Sequence, residues 1–249
     1  MHSFLLIGQS NMAGRGFLTE AVEVDTTNIR IQRNGLWNRM FRPINPDRSF
    51  SGTNLAEHFA ECYAKAYNTE VGLICCADGG TSLDQWMPGS VLYDNAVNCA
   101  RLAQRSSEIV GILWHQGEGD IRNKGYLTYK ARFELMIKNL KADLGIPHVP
   151  VLVGGLGDFL VHYVKPDGSN MGEYVKVNEA LQSIAQDDKL CGFVSAVGLT
   201  SNPDNLHFSA KALYEFGQRY FDEYQKITGG KLISDIRNEN NERSALEQL

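Results

Sequence analysis

Apolar residues along the chain fall into two alternating patterns: short unbroken runs, and longer stretches in which they recur every three or four positions. Phe4, Leu5, Leu6 and Ile7 form the first run and predict a buried strand over about 3–8. Comparable runs over about 71–77, 109–114, 149–154 and 191–197 predict four more strands. Helical periodicity is clearest over 54–67, where Leu55, Phe59, Cys62, Tyr63 and Ala66 share a face. Asn54 followed by Glu57 has the spacing of a capping box there. The pattern predicts further helices over about 92–105, 126–144, 173–186 and 210–224. Gly145 and Pro147 stop the second of these, and Ser209 caps the start of the last.

Strands and helices therefore alternate. That order predicts a three-layer α/β/α sandwich around a mostly parallel five-stranded sheet, with right-handed crossovers. One domain over 1–249 is the simplest division, since no linker or internal repeat interrupts the pattern. Periodicity fails over about 15–50, which reads as a long inserted loop with a short hairpin near 29–32, either a wall of a substrate groove or equally a packed surface excursion. A second loop over 159–170 carries Pro166, Asp167 and Gly168, and the residues from about 229 to 249 form a polar tail of mixed charge.

Composition narrows the class. Hydrophobic residues at 43% support a substantial core, and a net charge of -5 argues against a nucleic-acid partner. No apolar run is long enough for a membrane span, and no secretory leader is visible, so the expected location is cytoplasmic; a leader already removed would make the protein secreted. Five cysteines (Cys62, Cys75, Cys76, Cys99, Cys191) without framework spacing read as free thiols, and no metal site or cofactor is expected from them. The sequence sets no oligomeric state.

The candidate chemistry gathers at the strand ends. Gly8 turns the chain sharply after the first strand and presents Ser10 where sites form in open α/β sheets, with its own N–H facing whatever binds. Ser10 and Asn11 acting only as helix caps is the plainer alternative. Gly79 and Gly80 follow the second strand, and Gln116, Glu118 and Asp120 follow the third. Asp204 and His207 lie three apart on a turn before the last helix. On such a turn the carboxylate reaches Nδ1–H while Nε2 faces Ser10, which is what acyl transfer by a serine needs. Neither glycine-rich junction carries a dinucleotide or phosphate-loop pattern.

Gly8-Gln-Ser-Asn-Met-Ala-Gly14, Gly79-Gly-Thr-Ser82 with Trp86, Trp114-His-Gln-Gly-Glu118 with Asp120, and Asp204-Asn-Leu-His207 occur in this order. Together they resemble the SGNH/GDSL hydrolase superfamily, and within it the acetyl-xylan-esterase and sialate-O-acetylesterase-like branch. The resemblance implies a flavodoxin-like SGNH hydrolase fold, with Ser10 as nucleophile, His207 as general base and Asp204 as the orienting acid. It implies an oxyanion hole from the N–H groups of Ser10 and Gly80 and the Gln116 side chain; Gly79 and Gly52 are alternatives to Gly80. Glu118 is a rival triad acid, or else a buried acceptor that holds its surroundings in place. His2, His58, His115, His148 and His162 read as packing or surface residues.

The activity so implied is removal of O-acetyl groups from carbohydrates through an acetyl-serine, without metal or organic cofactor. The substrate is a small-molecule or oligosaccharide acetyl ester. Acetylated xylan is the main expectation, with sialate O-acetyl esters or other small esters as the alternative. A non-catalytic carbohydrate-binding protein is a rival of another class. Trp37, Trp86, Tyr163 and Phe159 are the aromatic candidates for an acyl pocket or a sugar platform.

Overall fold

β1 (His2–Gly8) takes the middle of the sheet because its residues Phe4 to Ile7 are apolar on both faces and all four are fully buried. A computed structural model describes residues 1–164 and 168–246 of the chain; Pro166 and Asp167 of the second expected loop, and 247–249 of the expected tail, lie outside the described residues. The other strands are β2 (Ile29–Arg33), β3 (Leu36–Arg39), β4 (Val71–Cys75), β5 (Glu108–His115), β6 (Val151–Gly154) and β7 (Cys191–Val194). Their spatial order is β3-β2-β4-β1-β5-β6-β7. Every neighbouring pair is parallel except β2 with β3, which is antiparallel.

The five-stranded, flavodoxin-like sheet expected from the sequence is thus corrected to seven strands, mostly parallel and partly antiparallel. The two extra strands come from the insertion at 15–50. Asn34 and Gly35 both adopt positive φ and close the tight β2–β3 hairpin, and Ile29 to Ile31 then pair with Val71 to Leu73 of β4. Ile29 and Ile31 are buried, but Leu36, Asn38 and Arg39 on the outer strand are exposed, so β3 carries no burial pattern a sequence could display.

The helices are α1 (Ser10–Ala13), α2 (Leu55–Tyr67), α3 (Val91–Ala103), α4 (Tyr129–Leu144), α5 (Tyr174–Asp187), α6 (Ala210–Thr228) and α7 (Ile233–Leu246). α2 and α6 pack together on one face of the sheet, where Phe4 meets Phe59 and Tyr224 edge to face at 4.7 and 5.6 Å. α3, α4 and α5 follow one another across the other face. The capping box at Asn54 and Glu57 is present, with bonds of 2.8 Å from Ala56 N and 3.0 Å from Asn54 N. The expected polar tail is largely helical, as α7, and its Ile233 is buried. Among the described residues, no helix is long and apolar enough to cross a membrane.

Register fixes where the strands end. Gly8 of β1 stands opposite His115 of β5. A Cβ at Gly8 would lie 2.2 Å from the His115 carbonyl oxygen, and its φ is +134°, so only glycine fits. The Ser10 turn is thereby held beside the segment that leaves β5.

Candidate active site

Ser10 opens α1 two residues past the end of β1, and Gln9 between them anchors the turn by donating its N–H to the His115 carbonyl at 2.9 Å. The Gln9 side-chain oxygen accepts from the N–H groups of Gly117 and Gly119 at 3.4 and 3.1 Å, so both strand exits are tied together. Ser10 Oγ lies 3.0 Å from His207 Nε2, and His207 Nδ1 lies 2.7 Å from Asp204 Oδ2. The second oxygen of Asp204 accepts from the N–H groups of Leu206 and His207 at 2.9 and 3.0 Å. Partial burial pushes the Asp204 carboxyl up, but the hydrogen bonds from His207 and Leu206 outweigh it and bring its pKa down to about 2. An ionised Asp204 accepts at Nδ1, which places the His207 proton there and leaves Nε2 to accept from the serine.

Asn11 holds this loop in place. Its amide nitrogen donates to the Leu206 carbonyl at 3.2 Å and its oxygen accepts from Phe208 N at 3.1 Å, so it grips the backbone on both sides of His207. Asn202 closes the loop from the other end: its N–H donates to the His207 carbonyl at 2.7 Å and its side chain to the Arg15 carbonyl at 2.9 Å. Glu118 stands behind Asn11, accepting from its amide at 2.6 Å, with the buried His115 ring 3.7 Å away. Burial pushes the Glu118 carboxyl up, yet His115 and Asn11 pull it down further, and the net pKa is lowered. Glu118 therefore contacts Asn11, while the carboxylate on the His207 ring is that of Asp204.

The glycine turn after β4 is resolved by its bonding. Gly79 N–H is taken by Asp47 Oδ2 at 2.9 Å, and Gly52 N–H by the Gly14 carbonyl at 3.1 Å. Gly80 lines the cavity with φ of +80°, and among the described residues its N–H has no intramolecular acceptor. Asp47 itself is buried against Arg15 in a two-pronged ion pair with bonds of 2.7 and 2.9 Å. Arg48 adds a bond of 2.8 Å to Asp78 and one of 2.9 Å to the Gly79 carbonyl. The insertion at 15–50 thus braces the glycine turn and walls the cavity.

Gln116 is not where the resemblance puts it. It is fully buried, and its amide nitrogen donates to the Thr81 carbonyl at 3.1 Å and to Asp120 at 2.7 Å, which uses both protons. Its oxygen accepts from Tyr129 Oη at 3.0 Å. Asp120 is fixed in turn by Arg132 and by Leu83 N, both at 2.7 Å. The Gln116 amide bonds a carboxylate four residues on and the Thr81 carbonyl, so it ties the loops after β4 and β5 together and does not line the cavity over Ser10.

A cavity of roughly 880 Å³ opens over Ser10 and His207, lined also by Gly80, Phe50, Arg122, Lys124 and Tyr163. Of the four aromatic residues proposed from the sequence, only Tyr163 lines it. Trp86 is buried against Trp114, Phe159 against Phe208, and Trp37 of the edge strand β3 covers Gly72 of β4. Phe50, 67% exposed, lines the cavity from the insertion, whereas Gln9, Asn202 and the Arg15–Asp47 pair carry no role in the sequence pattern. The sequence held one usable signal for these: a serine motif whose neighbours Gln9 and Asn11 are both amides. Among the described residues, no group of three or more His, Cys, Asp or Glu side chains is placed to hold a metal ion.

The family model described as carbohydrate esterase, sialic acid-specific acetylesterase, matches residues 1–226. A probable carbohydrate esterase of Arabidopsis thaliana is 28% identical over 237 residues, covering 86% of each chain. The X-ray structure of that Arabidopsis protein superposes with a TM-score of 0.78 at 26% identity, over 90% of this chain and 98% of the other. A carbohydrate acetylesterase of Xanthomonas citri shares the fold, with a TM-score of 0.68 at 18% identity over 92% of this chain and 57% of its own. A match running from the first strand to the last sheet-covering helix takes in the serine, the histidine and the aspartate alike, and the chain belongs to the carbohydrate esterase family of sialic acid-specific acetylesterases, SGNH/GDSL-related hydrolases of carboxylic esters that act on acetylated carbohydrates.

Proposed function

We propose that the protein removes O-acetyl groups from an acidic, sialate-type sugar through an acetyl-Ser10 intermediate. The observation that carries this reading is the relay from Ser10 Oγ through His207 to Asp204, with steps of 3.0 and 2.7 Å, open to the cavity. His207 Nε2 takes the proton of Ser10 Oγ as the oxygen attacks the acetyl carbonyl. Charge develops on the carbonyl oxygen, where the N–H groups of Ser10 and Gly80 receive it. The imidazolium, steadied by Asp204, then gives its proton to the leaving sugar oxygen. Water enters, loses a proton to Nε2 and attacks the acetyl-serine; acetate leaves and Ser10 regains its proton.

The acidic substrate is favoured over neutral xylan by two cations in the wall. Arg15, Arg48 and Arg132 are each neutralised by aspartates. Arg122 and Lys124 also line the cavity, and they have no ion-pair partner among the described residues. Arg132 is shared by Asp84 and Asp120, and Glu118 also lines the cavity, so the wall has no net positive charge; what suits a sugar carrying a carboxylate is that Arg122 and Lys124 themselves are not paired.

The test is acetate release from O-acetylated sialic acid, acetylated xylo-oligosaccharides and a chromogenic acetyl ester, by wild type and Ser10→Ala side by side. Ser10→Ala lowers kcat by about 10⁴-fold or more, and the sialate ester has the highest kcat/KM. Equal rates in both proteins overturn the mechanism. Preference for the xylo-oligosaccharides returns the substrate to the neutral reading.

A further inference from the structure

Among the described residues three phenylalanines are exposed. Phe17 and Phe41 line no part of the Ser10 cavity, whereas Phe50 stands in its wall. An aromatic ring open to water beside a nucleophile keeps apolar surface that a ligand can cover.

The ring sits on a turn fixed from both sides. Ser51 N–H donates to the Arg48 carbonyl, and Arg48 N–H donates to Ser51 Oγ, both at 3.1 Å. Ser51 Oγ donates in turn to Asp47 Oδ1 at 2.8 Å. The residues that follow are bonded to the segment leaving the Ser10 turn: Gly52 N–H to the Gly14 carbonyl at 3.1 Å, and Thr53 N–H to the Gly16 carbonyl at 2.8 Å. A ring held in this way loses little freedom when a ligand arrives.

Arg15 links the ring to the nucleophile. Its Cζ lies over Phe50, 5.3 Å from the ring centroid, a cation–π contact. A Cβ at Gly79 would lie 2.5 Å from Arg15 Nη2 and 3.5 Å from Ser10 Cβ, so the same guanidinium flanks the glycine turn beside the serine. Phe50 is thus one guanidinium away from the turn that borders Ser10, with one face on Arg15 and the rest of the ring open to the cavity. An acetyl carbonyl at Ser10 is joined to its sugar through a single oxygen, so the sugar ring lies against the groups that flank the serine. A pyranose offers apolar C–H faces between its hydroxyls, and such a face packs on an aromatic ring.

We propose that Phe50 is the sugar platform of this esterase: the pyranose that carries the acetyl group lays a C–H face on the open face of Phe50 while the carbonyl reaches Ser10. The proposal rests on the acetyl-serine reading but not on the choice between an acidic and a neutral sugar, since both present a pyranose.

The test compares kcat/KM for an O-acetylated sugar, the sialate or the xylo-oligosaccharide ester that wild type prefers, with kcat/KM for ethyl acetate, which has no ring to stack. In Phe50→Ala the ratio of sugar ester to ethyl acetate falls about tenfold, with the loss in KM rather than kcat, and Phe50→Trp returns it to within about twofold of wild type. The side chain is exposed, so its replacement leaves the fold intact. An unchanged ratio overturns the proposal, as does a selective loss that follows Tyr163→Ala instead. Equal losses on the two esters also overturn it, and make Phe50 a support for Arg15 alone. Failure of the serine reading shows separately, as Ser10→Ala matching wild type or as no ester being cleaved by either. Binding of the deacetylated sugars, sialic acid and xylobiose, then decides: saturation transfer to the C–H protons of either sugar that drops in Phe50→Ala supports the platform, and equal or absent transfer overturns it.

Discussion

Asp204 and Glu118 are both carboxylates within reach of the Ser10 turn, and they support it by different routes. The Asp204 side chain is 44% exposed and touches the His207 ring directly; the Glu118 side chain is 4% exposed and touches Asn11, which grips the backbone around His207. Asp204 gets both of its oxygens satisfied from its own tight turn. Glu118 leaves one oxygen buried without a partner among the described residues. A carboxylate that sets a tautomer must contact the ring, whereas one that sets a loop can act at one remove. The rivalry between the two as triad acid, open in the sequence, is therefore a contrast between orienting a ring and placing a backbone.

That contrast breaks most sharply under paired amide substitutions. Asp204→Asn keeps the shape of the turn but removes the charge that holds the Nδ1 proton, and lowers kcat by about 10³–10⁴-fold. Glu118→Gln still offers an oxygen to Asn11 and costs only a few-fold. Steady-state kinetics on one acetyl ester checks both; the reverse order of losses makes Glu118 the triad acid. Asn11→Ala lies between them. It removes the bonds to Leu206 and Phe208 together, lets the His207 loop drift, and lowers kcat by about 10²-fold. Its loss appears in kcat rather than KM, because the chemistry of all three relay residues is intact; a change in KM alone contradicts the positioning role.

The same contrast explains what could be read from the sequence. The Asp204–His207 pair was legible because three residues of chain suffice to build it. β1 was legible because it is an unbroken apolar run buried on both faces, and α2 with its capping box and α6 because each buries a periodic face. The hairpin of β2 and β3 was legible only as a short hairpin near 29–32; its pairing with β4 was not, since it contributes two buried isoleucines and an exposed edge within an aperiodic insertion. Gln116 was legible as a residue type, but its direction depends on Asp120, Thr81 and Tyr129, which meet it only in the folded sheet. The Arg15–Asp47 pair and the Gly79 N–H it occupies likewise join residues that no spacing connects.

The smallest effect expected from the comparison is thermodynamic. Asp204 titrates near its ordinary 3.8 when unfolded and at about 2 when folded, so folding favours its ionised form. A carboxyl with a depressed folded pKa stabilises the protein above its unfolded value, and that contribution fades as pH falls towards the folded one. Wild type should therefore melt above Asp204→Asn at pH 5 and higher, and the gap should narrow between about pH 4 and 2. The effect is modest because the side chain is nearly half exposed and solvent screens its interactions. Thermal melts of both proteins from pH 6 to pH 2.5 check this. A gap that does not change with pH would mean that the Asp204 charge contributes nothing to folding, and that its hydrogen bonds serve only to aim His207 at the serine.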